Sequence, residues 1–305
     1  MKKLTLLLLV LLMGFGGFSQ TMQTYQYAEK DTTQLYLDFY TPENVNDSTI
    51  CLVYVFGGGF IGGHRDGKWE KAYFKQLVDE GFMLASIDYR LGLKGAKNLS
   101  IFNTDPLEIA VYMATEDAIS ALAYLLEHAK ELKINKDYIV MTGSSAGAIT
   151  SLQTDYAMCN GFLNSDILPK DFRLAGVVSY AGAIFSHEGK VKYSNHNPAP
   201  TMMFHGTADR LVPYKQVKFF KIGFFGTDAL VKRFEKFGYP YFARRFEGYG
   251  HSVAVGGPLT VDDLKWFCQH YVYKKEKIQV DGFYNNLDPK TMPPFDYYTP
   301  KDLYK

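Results

Sequence analysis

Tyr138-Ile139-Val140-Met141-Thr142-Gly143-Ser144-Ser145-Ala146-Gly147 is the stretch on which the reading of this chain turns. Residues 138–142 are an apolar run that predicts a buried strand, and residues 146–158 predict a helix. Between them the chain must reverse within a few residues, so glycines stand two places either side of a central serine, where side chains would collide. That register singles out Ser145 as a candidate nucleophile and leaves Ser144 as the variable position before it. Alone, the five-residue pattern is a weak signal, because small residues gather in many turns. Its weight comes from the strand in front of it and from partners elsewhere in the chain.

Working outward, strand-like runs recur at residues 35–40, 50–56, 82–89, 174–180, 201–205 and 241–247, several of them almost continuously apolar. Such runs belong to strands covered on both faces. Helical segments fill the gaps at 68–80, 105–132, roughly 214–237 with a break near Gly226, and 259–273. In the longest, Ala118, Leu122, Leu125, Leu126 and Ala129 recur at helical spacing and make one buried stripe. Alternation of strand and helix implies an α/β fold, a mostly parallel, doubly wound sheet of about eight strands with helices on both faces and its site at the strands' carboxyl ends. Residues 91–104 and 160–171 do not fit the minimal pattern, and such insertions either cover a cleft or are plain surface loops. The aromatic- and proline-rich tail, 274–305, reads as an irregular strap whose rings pack on the domain.

The chain has 305 residues, 47% hydrophobic and 21% charged, which suits one large domain with a substantial core. Residues 1–19 stand apart. Lys2 and Lys3 precede the apolar run from Leu4 to Met13, and Gly17-Phe18-Ser19 offers small residues where a signal peptidase cuts. This reads as a secretory leader, too short for a membrane span, with the mature domain occupying 20–305. The expectation is export to a bacterial periplasm or exterior with no membrane anchor left. Charge is balanced, 33 basic against 32 acidic residues, which gives no footprint for nucleic acid or an anionic surface. Three cysteines are no disulfide framework: Cys51 and Cys268 read as core, and Cys159 as a loop residue.

A serine hydroxyl needs an adjacent base, usually a histidine held in one tautomer by a carboxylate. His251, in Gly248-Tyr249-Gly250-His251-Ser252, follows the last strand and can swing over the serine. His205 sits inside a strand, His128 and His270 on helices and His64 before the serine, so His187 and His196 are the serious rivals. His187, Glu188 and His196 have no recognised metal-ligand spacing, and no metal site is expected. Asp209, in His205-Gly206-Thr207-Ala208-Asp209, projects from the end of a strand where a histidine loop can reach it; its plainer role would be a turn cap. Asp262 and Asp263 read as first-turn helix residues, and Asp88 as an organiser of nearby loops. Phe56-Gly57-Gly58-Gly59-Phe60 ends a strand with consecutive glycines, whose N–H groups can approach a substrate oxygen unobstructed. The N–H of Ala146 would complete an oxyanion hole. No G-K-[ST] and no G-x-G-x-x-G with a following acid supports a nucleotide site.

With these pieces placed, the chain resembles the α/β-hydrolase-fold carboxylesterases, in particular hormone-sensitive-lipase-like bacterial esterases and their feruloyl- and acetyl-esterase-like relatives. The matching residues are Phe56 to Phe60, Ser86 to Arg90, Gly143 to Gly147, His205 to Pro213 and Gly250-His251-Ser252. The resemblance implies Ser145 as nucleophile, Asp209 as acid and His251 as base, with Gly58, Gly59 and Ala146 supplying the oxyanion-hole N–H groups. It implies no cofactor and a small-molecule or oligosaccharide ester as substrate. Phe56 departs from the family pattern, which places a loop-bracing histidine there. An exported peptidase or lipase with the same triad, or a silent hydrolase fold that only binds, are the alternatives.

Overall fold

The computed structural model describes residues 21–95 and 105–286; the expected leader, 1–19, lies outside them. The chain opens with an antiparallel pair, β1 (Thr21–Lys30) and β2 (Thr33–Thr41). It continues through β3 (Cys51–Val55), α1 (Lys68–Asp79), β4 (Met83–Ile87), α2 (Asp105–Glu127), β5 (Ile139–Ser144), α3 (Ala146–Asn160) and β6 (Gly176–Tyr180). A short β7 (Ala183–Ser186) leads to β8 (Thr201–Gly206), then to β9 (Gln216–Phe219), β10 (Ile222–Gly226) and α4 (Thr227–Phe237). The last elements are β11 (Tyr241–Phe246), α5 (Val261–Phe267) running on as a π-helical turn at Cys268–Tyr273, and β12 (Gln279–Tyr284).

One nine-stranded sheet runs β1-β2-β4-β3-β5-β6-β8-β11-β12, parallel from β4 onward, with β2 antiparallel to β4. Every residue of β3, β4 and β6 is buried, so both faces are covered, as their unbroken apolar runs require. α3 packs on β3, β5 and β6 beneath it and on α2 and β7 above, which is why nearly every side chain on it is buried. α2 is the described helix long and apolar enough to cross a membrane. It packs instead on α3 and β1 with Ala118, Leu122 and Leu125 fully buried. From β3 the chain winds one way to β4, and from β5 the other way to β6. The loops after β3 and β5 therefore part over neighbouring strand ends, the place where such sheets open a crevice.

The mostly parallel sheet of about eight strands is borne out, at nine, with polar β1 and β12 as edges that no apolar run marked. Several other expectations need correction. Residues 214–237 are not one broken helix: Gly223 and Gly226 interrupt it, and 216–226 form the β9–β10 hairpin that joins β7 in a separate three-stranded sheet. The tail is not irregular throughout. Residues 279–284 pair parallel with β11, fastened by Arg245, whose Nε and Nη2 donate to the Asp281 carboxylate at 2.7 and 2.8 Å. The remainder of the strap, 287–305, and residues 96–104 of the first insertion lie outside the described residues. The second insertion leaves the far end of α3, about 22 Å along the helix from Ser145, so it is a surface loop away from the crevice. Cys159 is on α3 rather than in a loop, and all three cysteines are buried and free.

Candidate active site

Ser145 sits between β5 and α3 at φ 52°, ψ −116°, a left-handed backbone that a non-glycine residue holds only when its surroundings enforce it. Enforcement comes from crowding. A Cβ on Gly143 would lie 2.4 Å from the Gly147 backbone, and one on Gly147 would lie 2.0 Å from the Val55 carbonyl oxygen of β3. The Ser145 N–H donates to the Tyr180 carbonyl at the end of β6 (2.9 Å), and Ser144 Oγ donates to the Ala254 carbonyl (2.7 Å). The turn is thus pinned to β3, to β6 and to the segment that carries His251.

His251 opens a 3-10 turn, His251–Val255, beyond β11. Its loop rests on the end of β8: Ala208 N–H donates to the Tyr249 carbonyl, and Gly248 N–H to Thr207 Oγ1, both at 2.9 Å. Nε2 of His251 is 2.7 Å from Ser145 Oγ, and Nδ1 is 2.8 Å from Asp209 Oδ2. Because Nδ1 faces a carboxylate, it carries the proton and leaves the Nε2 lone pair to accept from the serine hydroxyl. Asp209 is wholly buried at its side chain. Oδ1 accepts from the N–H groups of Leu211 (2.9 Å) and Val212 (3.1 Å), so the turn-cap role and the histidine contact coexist in one carboxylate.

Asp209 has a further partner that sequence reasoning set aside. His205, fully buried at the end of β8, places Nε2 3.2 Å from Asp209 Oδ2 and 3.3 Å from the Val212 carbonyl. Two acceptors there put the proton on Nε2, while Nδ1 takes the Thr227 hydroxyl at 3.0 Å. Burial pushes the Asp209 carboxyl up, but the hydrogen bonds of His205 and His251 outweigh it and hold the group well below the usual carboxylate range. The signal was in the sequence: a histidine four residues before the acid, dismissed because it lies in a strand.

The glycine loop after β3 faces the same crevice. Gly58 and Gly59 have φ of 124° and 62°, and at Gly58 a Cβ would sit 2.1 Å from the Gly62 carbonyl oxygen. Among the described residues, no turn or loop hydrogen bond takes the N–H of Gly58, Gly59 or Ala146. Phe56 braces this loop by stacking. Its ring lies on Tyr89 (centroids 4.4 Å, 25° between planes), and Tyr89 Oη donates to the Phe56 carbonyl at 3.1 Å. An aromatic pair therefore stands where the family pattern has a histidine. Asp88 accepts from Arg65 Nη1 (2.8 Å) and from the Tyr36 N–H (3.2 Å), the loop-organising contacts expected of it.

The rival histidines are elsewhere: His187 pairs with Glu108 at 2.6 Å on the surface, and His196 contacts the Asn197 carbonyl. Among the described residues, no group of three or more histidine, cysteine or acidic side chains could hold a metal ion. Asp262 and Asp263 occupy the first turn of α5. What the assembled groups offer is a proton path from hydroxyl to imidazole, a buried anion behind it, and N–H groups free to face a developing negative charge.

Comparison with known proteins places esterases among those to which this chain is similar. The family model BD-FAE matches residues 37–184, just under half of the chain, a stretch that includes the glycine loop and Ser145 but ends before Asp209 and His251. Isoprenylcysteine alpha-carbonyl methylesterase of Arabidopsis thaliana is 27% identical over 265 residues, 75% of this chain and 59% of that protein. This chain thus spans less than two thirds of that relative's length. Carboxylesterase 5A of Mus musculus is 32% identical over 121 residues, covering 38% of this chain and 19% of the relative. Among solved structures, native esterase 2 of Thermogutta terrifontis superposes with a TM-score of 0.59 over 83% of this chain and 94% of that one. Identity there is 20%, so the likeness is one of fold.

Proposed function

We propose that this chain, an α/β-hydrolase of the carboxylesterase type, is a serine esterase that works through an acyl-enzyme. The observation that carries the reading is the unbroken chain Asp209–His251–Ser145, at 2.8 and 2.7 Å, beside unpaired N–H groups of the glycine loop. His251 Nε2 takes the hydroxyl proton as Ser145 Oγ bonds to the ester carbonyl carbon. The carbonyl oxygen becomes an oxyanion held by the N–H groups of Gly58, Gly59 and Ala146. Asp209 stabilises the imidazolium formed meanwhile. As the tetrahedral adduct collapses, the ester C–O bond breaks and His251 returns the proton to the leaving alkoxide. Water, deprotonated by the same imidazole, then attacks the acyl-enzyme and releases the acid and free Ser145.

Short acyl or aryl esters, including acyl groups on carbohydrate, are the proposed substrates. In support, the connection between β6 and β8, residues 181–200, has the short β7 as its regular element and, among the described residues, no helix that could serve as an apolar lid. Export belongs to the same proposal and rests on the pattern of residues 1–19. The test is turnover of p-nitrophenyl acetate, with acetylated and feruloylated oligosaccharides to rank substrates and a peptide amide as contrast. Ser145→Ala is expected to lower kcat about 10⁶-fold without altering the melting temperature. Wild-type turnover that survives this substitution would overturn the mechanism, and amide cleavage faster than ester cleavage would move the protein to the peptidases.

A further inference from the structure

Among the described residues β9 is an edge strand, paired only with β10, and all four of its side chains are exposed. Val217 and Phe219 share one of its faces at 62% and 65% exposure. The two-residue turn that follows, Phe220-Lys221, sets Phe220 at φ 51° and 84% exposed. Glycine or asparagine would hold that turn with less strain, so local stability does not account for a phenylalanine there. Phe219 and Phe220 meet edge to face at 4.6 Å and form one projecting apolar wedge.

Charge balances over the chain as a whole but not here: Lys218 and Lys221 flank this wedge, Lys215 stands at the base of the hairpin, and none of the three makes an ion pair among the described residues. At the base of the hairpin a cavity of about 440 Å³ opens against α4, lined by Lys190, Lys215, Arg233 and Lys236. The Asp228 carboxylate on its wall is already engaged by Lys232 and Arg245, and Arg233 Nε is buried without a hydrogen-bond partner. Glu188 adds one opposing charge on the connection beside Gly189, whose N–H donates to the Lys221 carbonyl.

We propose that the β9–β10 hairpin docks this protein on a membrane surface bearing anionic headgroups, its Val217, Phe219 and Phe220 wedge entering the interface while the lysines and the basic cavity meet the headgroups. The shape selects this occupant. A convex tip suits a soft interface, where aromatic side chains sit well and basic ones add attraction to anionic lipid. A stable protein interface buries about 1,200 Å² or more, beyond what one hairpin tip presents. Pairing of β9 with a second copy would bring lysines against lysines, the arrangement by which edge strands resist such pairing. Phosphatidylglycerol serves as the test lipid.

The experiment is co-sedimentation of the chain from Gln20 onward, which keeps every described residue, with phosphatidylcholine vesicles containing or lacking phosphatidylglycerol. Binding is expected only with the anionic lipid and is expected to weaken as salt is raised. The double variant Phe219→Ser, Phe220→Ser should lose at least about tenfold in vesicle affinity, and Lys218→Glu with Lys221→Glu should do the same. All variants should retain wild-type turnover of p-nitrophenyl acetate. Phe220→Trp, a milder change, should show a blue-shifted emission on adding anionic vesicles. No binding by the wild type, or undiminished binding by the serine variant, would overturn the proposal. Retention on immobilised pectate in place of vesicles would assign the surface to an anionic glycan.

Discussion

The rim around Ser145 and the β9–β10 hairpin spend their side chains in opposite ways. At the rim every polar atom of the Asp209 carboxylate has a donor, a strained turn is held from three sides, and glycines stand two places either side of the serine because nothing larger fits. At the hairpin a strained turn carries a large apolar ring into solvent, and the lysines beside it have no carboxylate partner among the described residues. Strain at the rim is over-determined by packing; strain at the hairpin is not. The contrast teaches that chemistry here needs preorganisation, whereas a docking surface needs accessible, unsatisfied groups.

Substitutions can break or sharpen that contrast. After Ser145→Ala, the largest effect is expected from Asp209→Asn, about a 10⁴-fold fall in kcat, because the amide imposes the wrong imidazole tautomer. The same change should flatten the acid limb of the stability curve. Asp209 is held below its ordinary value, so its contribution is present above the unfolded carboxyl value of about 4 and is lost as pH falls through the native one. Urea unfolding followed from about pH 6 down to about pH 2 measures this.

Asp155 on α3 should behave in the opposite sense. Burial pushes its carboxyl up to about 7, with the Ala199 N–H, Cys159 and the charge of Arg173 in partial compensation. Its native state therefore favours the protonated acid, and its contribution to stability declines as pH rises from about 4 toward 7. Asp155→Asn should stabilise the protein at pH 8 by an amount on the order of 2 kcal/mol and have little effect at pH 4, as read by urea midpoints at both values.

A smaller change is expected from His205→Phe, which removes one of the two imidazole donors on Asp209 Oδ2. The acid then holds the His251 imidazolium more tightly. The lower limb of the kcat/KM profile should move to higher pH and kcat should fall about tenfold with KM unchanged. His205→Gln, which keeps a donor, should recover part of the loss; an unmoved pH profile would make His205 a packing residue only. Smallest of all, the hairpin substitutions should leave the unfolding free energy within about 0.5 kcal/mol of wild type, since exposed side chains contribute little to the core.

Buried strands were the readable part of this fold. β3, β4, β5, β6 and β8 announce themselves as apolar runs because both of their faces are covered. β1, β9 and β12 are edge strands with mostly exposed side chains, so no periodic pattern marks them. The hairpin was further disguised by Phe219, Phe224 and Phe225, which can be read on a helical face as readily as on a strand. Their partner β7 has only four residues, too few to announce a sheet. In the candidate site, Ser145, Asp209 and His251 were legible because each follows a strand in a short motif. His205 was passed over because a strand histidine looks like core until its neighbour across the turn is known.

Residue order alone settled the alternation of strand and helix, the serine at the centre of a glycine-flanked turn, and an acid and a histidine each placed after a later strand. These are local consequences of which side chains can be buried and which backbone angles are allowed. Chain folding in space settled the rest: that residues 106 positions apart come within 2.7 Å, that two histidines share one carboxylate, that a stacked aromatic pair braces the glycine loop, and that the tip of a hairpin stands clear of the core. Each depends on contacts between distant segments, whose free energies arise only once the sheet has brought its strand ends together.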